Sequence, residues 1–135
     1  MFFILQEKFN TMKKLSFLVL IVLGISFFSS CKDEGYKLKL DKDVYAPGET
    51  IKVDFTADPN WSEYAWVGII PSNVSHGKES ENDQYDLEYQ YLSKKASGTV
   101  ELTAPSTPGN YDIRMNDADD GTVGLEITYV SFKVK

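Results

Sequence analysis

The stretch Tyr64-Ala65-Trp66-Val67-Gly68-Ile69-Ile70-Pro71 decides the fold. It is the most apolar run outside the N-terminus. Both alternating sets are apolar: Tyr64, Trp66 and Ile70 on one side, Ala65, Val67 and Ile69 on the other. A short run of this kind, ended by proline, reads as a central strand covered on both faces. Trp66 is the largest side chain available to fill a space between two sheets. It is expected there, against Val53, Phe55 and Ile113. The implied architecture is a β-sandwich.

The segments on either side supply the other strands. Residues 50–57 alternate cleanly, with Ile51, Val53 and Phe55 facing in and Lys52, Asp54 and Thr56 facing out. Residues 36–40 alternate in the same way, and Val44-Tyr45 adds a short piece. Ala46-Pro47-Gly48-Glu49 is a turn, because Pro presets φ at its first central position and Gly accepts positive φ at the next. Residues 87–92, 99–103 and 110–116 read as further strands, the last with Tyr111, Ile113 and Met115 on one face. Pro108-Gly109-Asn110-Tyr111 opens that strand as a tyrosine corner would. The final segment, residues 123–134, changes phase, and a β-bulge near Tyr129-Val130 would reconcile its halves. No helical period appears after Cys31, so residues 72–86 read as a long loop. Loops of that length in compact domains are usually functional or disordered. The expectation is an all-β, immunoglobulin-like sandwich of about seven strands over residues 36–135, following an N-terminal signal segment.

That N-terminal segment has its own grammar. Met12-Lys13-Lys14 is basic, residues 15–28 are apolar, and Ser29-Ser30-Cys31 follows. This is the order of a secretory signal, and the apolar stretch falls short of the roughly 20 residues that a membrane span needs. Met12 is an alternative start. Cys31 is the single cysteine, so no internal disulfide can form. A lone cysteine at this place resembles the lipobox of bacterial lipoproteins, with Phe28 standing where Leu is usual. The resemblance implies cleavage after residue 30 and acylation of Cys31, which would anchor the protein to a membrane through several acyl chains. Residues 31–35 then form a lipidated tether. Within it, Lys32-Asp33-Glu34 resembles the export tag of surface lipoproteins in some Gram-negative bacteria, which implies an outer-membrane, surface-exposed location.

The whole chain has 135 residues and a formal net charge of −6. Loss of residues 1–30 removes Lys8, Lys13, Lys14 and Glu7 and makes the mature chain more acidic still. Such a surface repels nucleic acid and anionic lipid. About 100 residues remain, enough for one domain with one core.

Read together, Leu38-x-Leu40-Asp41-Lys42, Tyr45-x-Pro47-Gly48-Glu49-x-Ile51, Trp66-Val67-Gly68-Ile69-Ile70-Pro71, Ser97-Gly98-Thr99-Val100, Pro108-Gly109-x-Tyr111-x-Ile113-Arg114, Asp119-Asp120-Gly121 and Phe132-x-Val134 resemble the immunoglobulin-like accessory domains of secreted bacterial hydrolases, phosphoesterases among them. The pattern around Trp66 is also loosely similar to the eukaryotic SKICH sandwich. In the accessory family this domain is not the catalyst, so the resemblance implies a binding or spacing role. The chain departs from the family at Asp119-Asp120-Gly121-Thr122, where Asn-Asp-Gly-Tyr is common, and in the acidic segment 72–86.

Candidate chemistry is sparse. His76 is the single histidine, in a polar segment, and no serine sits in a Gly-x-Ser-x-Gly setting. A zinc site lacks ligands. Asp117, Asp119 and Asp120 crowd one loop and could offer oxygens to Ca²⁺, although polar turns often use Asp to bond their own backbone. Glu79, Glu81, Asp83, Asp86 and Glu88 form a second acidic run. Trp61, Tyr85, Tyr89 and Tyr91 could build an aromatic platform. Tyr89 and Tyr91 share a strand face with Leu87 and are expected in or near the core, which leaves Trp61 and Tyr85 as ligand candidates. The function expected is non-catalytic: a binding or adaptor module for a glycan, peptide or surface complex. The alternatives are a structural spacer held through a sheet edge and, more remotely, a small hydrolase.

Overall fold

The computed structural model describes residues Gly35–Lys135. The signal segment 1–30, Cys31 and all of the tether except Gly35 lie outside the described residues. Strands β1 (Lys37–Leu40), β3 (Thr50–Thr56) and β6 (Ser97–Thr103) form one sheet in the order β1-β3-β6. The second sheet runs β2-β8-β7-β4-β5, from β2 (Val44–Tyr45), β8 (Glu126–Val134), β7 (Gly109–Asn116), β4 (Trp66–Pro71) and β5 (Glu88–Tyr91). Two antiparallel sheets of three and five strands, with a short parallel β2 lying on β8, make the immunoglobulin-like sandwich expected from the sequence.

The core follows the period-2 rule. Ile51, Val53 and Phe55 of β3 and Val100 and Leu102 of β6 face Val67 and Ile69 of β4, Ile113 and Met115 of β7, and Phe132 and Val134 of β8. Two local devices fix the chain ends around this core. Glu49 N–H donates to Ala46 O at 3.1 Å with Gly48 at φ 76°, the turn that Pro47-Gly48 encodes. The Tyr111 hydroxyl donates to Thr107 O at 2.7 Å, which is the tyrosine corner.

Three expectations need correction. Trp66 does not lie between the sheets. The inward residues of β4 are Val67 and Ile69, preceded by Ala65, so Trp66 and Ile70 point to the other face and are buried there. What buries them is the second correction. Part of segment 72–86 folds as helix α1 (Glu79–Tyr85), which with its leading loop covers the outer face of the five-stranded sheet. Its buried residues are Glu79 and Asn82, so the packed side of the helix is polar and leaves no apolar period to read. Third, the irregularity in the last strand falls earlier than Tyr129-Val130. Met115 pairs with Thr128 but Asn116 with Glu126, which leaves Ile127 as the extra residue. The apolar residues that suggested a longer strand, Val123 and Leu125, are 77% and 52% exposed in the preceding loop.

Candidate functional site

The outer face of β4, β7 and β8 carries an unusual load of buried polar side chains. Arg114 is fully buried on β7, and all its N–H groups are used. Nε and Nη2 donate to Asp112 Oδ2 at 3.1 and 2.8 Å. Nη2 also reaches Val74 O at 2.8 Å, and Nη1 donates to Ser75 O at 3.1 Å and Asn82 Oδ1 at 2.8 Å. The second oxygen of Asp112 accepts from the hydroxyls of Ser72 and Ser131 at 2.9 and 2.8 Å. Arg114 therefore staples the loop and the helix to the sheet. Its bond to Asn82 orients that amide, so Asn82 Nδ2 donates to Asn116 Oδ1 and Glu126 Oε2 at 2.8 and 2.9 Å.

His76 closes this network at the surface. Its Nδ1 lies 2.6 Å from Glu126 Oε1, its Nε2 lies 3.3 Å from Arg114 Nη2 and 3.6 Å from Asp112 Oδ2, and its ring leans on Tyr129 at 4.3 Å. The hydroxyls of Ser72 and Ser131 are bonded to Asp112 rather than to His76. The arrangement holds a lid in place.

The other end of the same face is open and aromatic. Tyr91 stands opposite Trp66 in the β4–β5 register, and Tyr89 stands opposite Gly68. Tyr64, Tyr91, Tyr89 and Trp66 form a continuous ladder with successive ring centroids 5.6, 5.3 and 5.8 Å apart, each pair edge to face at 68–70°. Trp66 is buried, but Tyr64, Tyr89 and Tyr91 are 51%, 45% and 39% exposed. Gly68 is the reason the indole can lie down: a Cβ there would stand 2.6 Å from its Cζ3. The ladder ends on acid. Trp66 Nε1 donates to the buried Glu79 Oε1 at 3.2 Å, and the Tyr91 hydroxyl donates to Asp119 Oδ2 at 2.7 Å. Carboxylate oxygens of Glu79, Asp83 and Asp119 lie within 4.8 Å of one another. Burial, then the charges of Asp83 and Asp119, hold both Glu79 and Asp86 above the ordinary carboxylate range. Asp119, accepting a hydrogen bond from its hydroxyl, pushes the Tyr91 phenol well above its ordinary value.

Of the residues singled out from the sequence, Trp61 is half-buried against the core and lies tilted against Tyr36 with ring centroids 4.5 Å apart, away from the ladder. Tyr85 is exposed at the end of α1 and makes no ring contact with the ladder. The three loop aspartates are not brought together. Asp120 Oδ1 accepts the backbone N–H groups of Thr122, Val123 and Gly124, which holds its carboxyl below the ordinary range. Asp117 Oδ1 accepts from Leu125 N–H. Asp119 alone joins the carboxylate group, with Glu79 and Asp83 from α1.

Tyr89 and Tyr91, expected in or near the core, stand exposed on β5 instead. Their strand partners explain why. Glu88 and Gln90 point the opposite way, toward β6, where Glu88 Oε2 accepts Thr103 N–H at 2.5 Å and Gln90 Nε2 donates to Glu101 O at 2.7 Å. Polar side chains face inward because they cap the backbone edge of β6, so the aromatic ones face water. Comparison with family models, with curated proteins and with solved structures finds no match to this chain.

Proposed function

We propose that this protein is a non-catalytic lipoprotein of the bacterial cell envelope, anchored at the outer membrane by acyl chains on Cys31, whose immunoglobulin-like sandwich faces outward as a binding or adaptor module. Its ligand is a glycan, a peptide or part of a surface complex, met on the outer side of β4 and β5. The observation that carries this reading is the ladder of three exposed tyrosines. Large aromatic rings grouped on a polar surface are the residues that recognition sites use, since they offer area at little entropic cost. The lid fastened by Arg114 supports the reading by setting acidic residues of α1 beside them.

The test uses full-length protein purified in detergent against immobilised panels of oligosaccharides and peptides. A ligand retained by wild type and lost with Tyr64→Ala and Tyr89→Ala is expected; indifference to both variants refutes the assignment of the face. The anchor is tested separately by mass spectrometry of the mature N-terminus. An acylated Cys31 as first residue is expected, and any other start removes the lipoprotein reading.

A second reading, a structural spacer held through a sheet edge, draws support from β8. Strand β2 pairs only with Lys133 and Val134, so residues 128–131 have no strand partner on that side among the described residues. A partner that co-purifies with wild type and is lost when Pro replaces Tyr129, whose N–H points to the same open side as that of Lys133, would favour it.

A further inference from the structure

We infer that the tyrosine ladder docks a cationic peptide: an extended segment of another protein whose lysine or arginine side chains lie across Tyr64, Tyr91 and Tyr89. This deepens the proposed function and rests on its assignment of the face. Two features choose the occupant. The first is ring geometry. Successive rings of the ladder are turned by about 70° to each other, so neighbouring tyrosines do not form a flat shelf. A sugar chain stacks best on a flat shelf of rings. A guanidinium or ammonium needs only one ring face within about 6 Å, and alternately tilted rings offer several.

The second feature is charge. Asp119 is tied to the Tyr91 hydroxyl, and Glu79 and Asp83 stand beside it. None of these carboxylates takes part in an ion pair among the described residues; the pairs found there lie at Lys42–Glu49 and around Arg114 and His76. The one cation found over an aromatic ring among those residues is Lys42, on Tyr45. The ladder thus presents negative ring faces beside the carboxylates of Asp119 and Asp83, over the buried Glu79, and none of the three is in an ion pair among the described residues. A cation arriving there gains from both and relieves the mutual repulsion of the acids. The chain's net charge of −6 draws such a segment in. In an extended peptide, alternate side chains lie on one side, which sets the recognised pattern as basic residues two apart.

The experiment measures fluorescence anisotropy of full-length protein in detergent with three labelled probes: a short peptide alternating Arg and Ser, the same peptide with Glu in place of Arg, and a neutral β-linked oligosaccharide. The Arg peptide should bind, the Glu peptide should not, and added salt should weaken the complex. Tyr89→Ala and Tyr64→Ala should each weaken it about tenfold, within the range of a desolvated cation–π contact. Asp83→Asn, at an exposed position outside the ion pairs of the lid, should weaken it several-fold without lowering the melting temperature, which separates a binding loss from a folding loss. Equal binding of Arg and Glu peptides, or Arg-peptide binding unchanged by all three variants, overturns the inference. Oligosaccharide binding that Tyr89→Ala abolishes, with no Arg-peptide binding, overturns it while leaving the ligand face standing. Failure of every probe and panel ligand overturns both.

Discussion

Gly68→Ala is the sharpest probe of how the sheet's outer face is built. A Cβ at residue 68 would stand 2.6 Å from Trp66 Cζ3 and 2.9 Å from the Glu88 carbonyl oxygen. The second atom is backbone, in a strand paired to β4, and cannot move cheaply. The indole must therefore lift, and lifting it pulls Nε1 from Glu79 and disturbs Tyr89, which packs on the ring at 5.8 Å. Overpacking of this kind costs typically about 1–3 kcal/mol, and the rigid neighbour places this case near the upper end. For a domain near 100 residues, each kcal/mol moves Tm by roughly 4–8 °C, so a fall of roughly 8–24 °C is expected by calorimetry. Trp66→Phe removes the clashing atoms. The double variant should then be more stable than the two single losses predict, by about 1 kcal/mol or more. Gly109→Ala is the control, since its Cβ would make only ordinary contacts of 3.6–3.8 Å with the Tyr111 ring. If Gly68→Ala melts within about 2 °C of wild type, or shows no coupling to Trp66→Phe, the indole does not lie where the lid argument needs it.

Arg114→Ala should cost about 3–5 kcal/mol in urea unfolding, because Asp112 and Glu126 lose the cation that balances them in a buried setting. Tyr111→Phe should cost about 0.5–1.5 kcal/mol through the lost bond to Thr107 O, read from the same unfolding curves. Tyr45 supplies a pH test: burial, then the Asp41 carboxylate that accepts its proton, pushes its phenol up to about 12 from 10.0. The folded state keeps that proton longer than the unfolded chain, so this contribution is whole below 10.0 and is lost as pH rises to about 12; Tyr45→Phe should flatten that part of the stability profile. Because Asp117 and Asp120 already cap backbone amides, millimolar Ca²⁺ should leave Tm unchanged; a rise abolished by Asp83→Asn would instead place a cation among Glu79, Asp83 and Asp119.

The sheets were legible because inward positions such as Ile51, Val53 and Phe55 repeat with the pleat and nothing competes with them. The side on which Trp66 lies was not legible. A strand buried under a second sheet and a strand buried under a polar lid look alike in sequence when both faces are apolar. The lid itself escaped notice because Glu79 and Asn82, its buried residues, are types that ordinarily face water. Long-range partners make them affordable: the Trp66 N–H for Glu79, and Arg114, Asn116 and Glu126 for Asn82. The same reason hid the tyrosines. Apolar-in, polar-out is a rule for packing against side chains, and Glu88 and Gln90 pack against backbone.

A cover fastened by hydrogen bonds also behaves differently in time from one held by apolar burial. Helix α1 brings little oily surface of its own, yet its detachment uncovers Trp66 and Ile70, so the opening carries a heat-capacity change, smaller than that of unfolding the whole core. Its departure is a separate, smaller event than global unfolding. Amide hydrogens of α1 should then exchange with solvent through brief local openings, while those of β7, flanked by β4 and β8, wait for the whole domain to open. On that timescale the lid meters solvent access to Arg114 and Asp112, and their buried charges meet water each time it lifts.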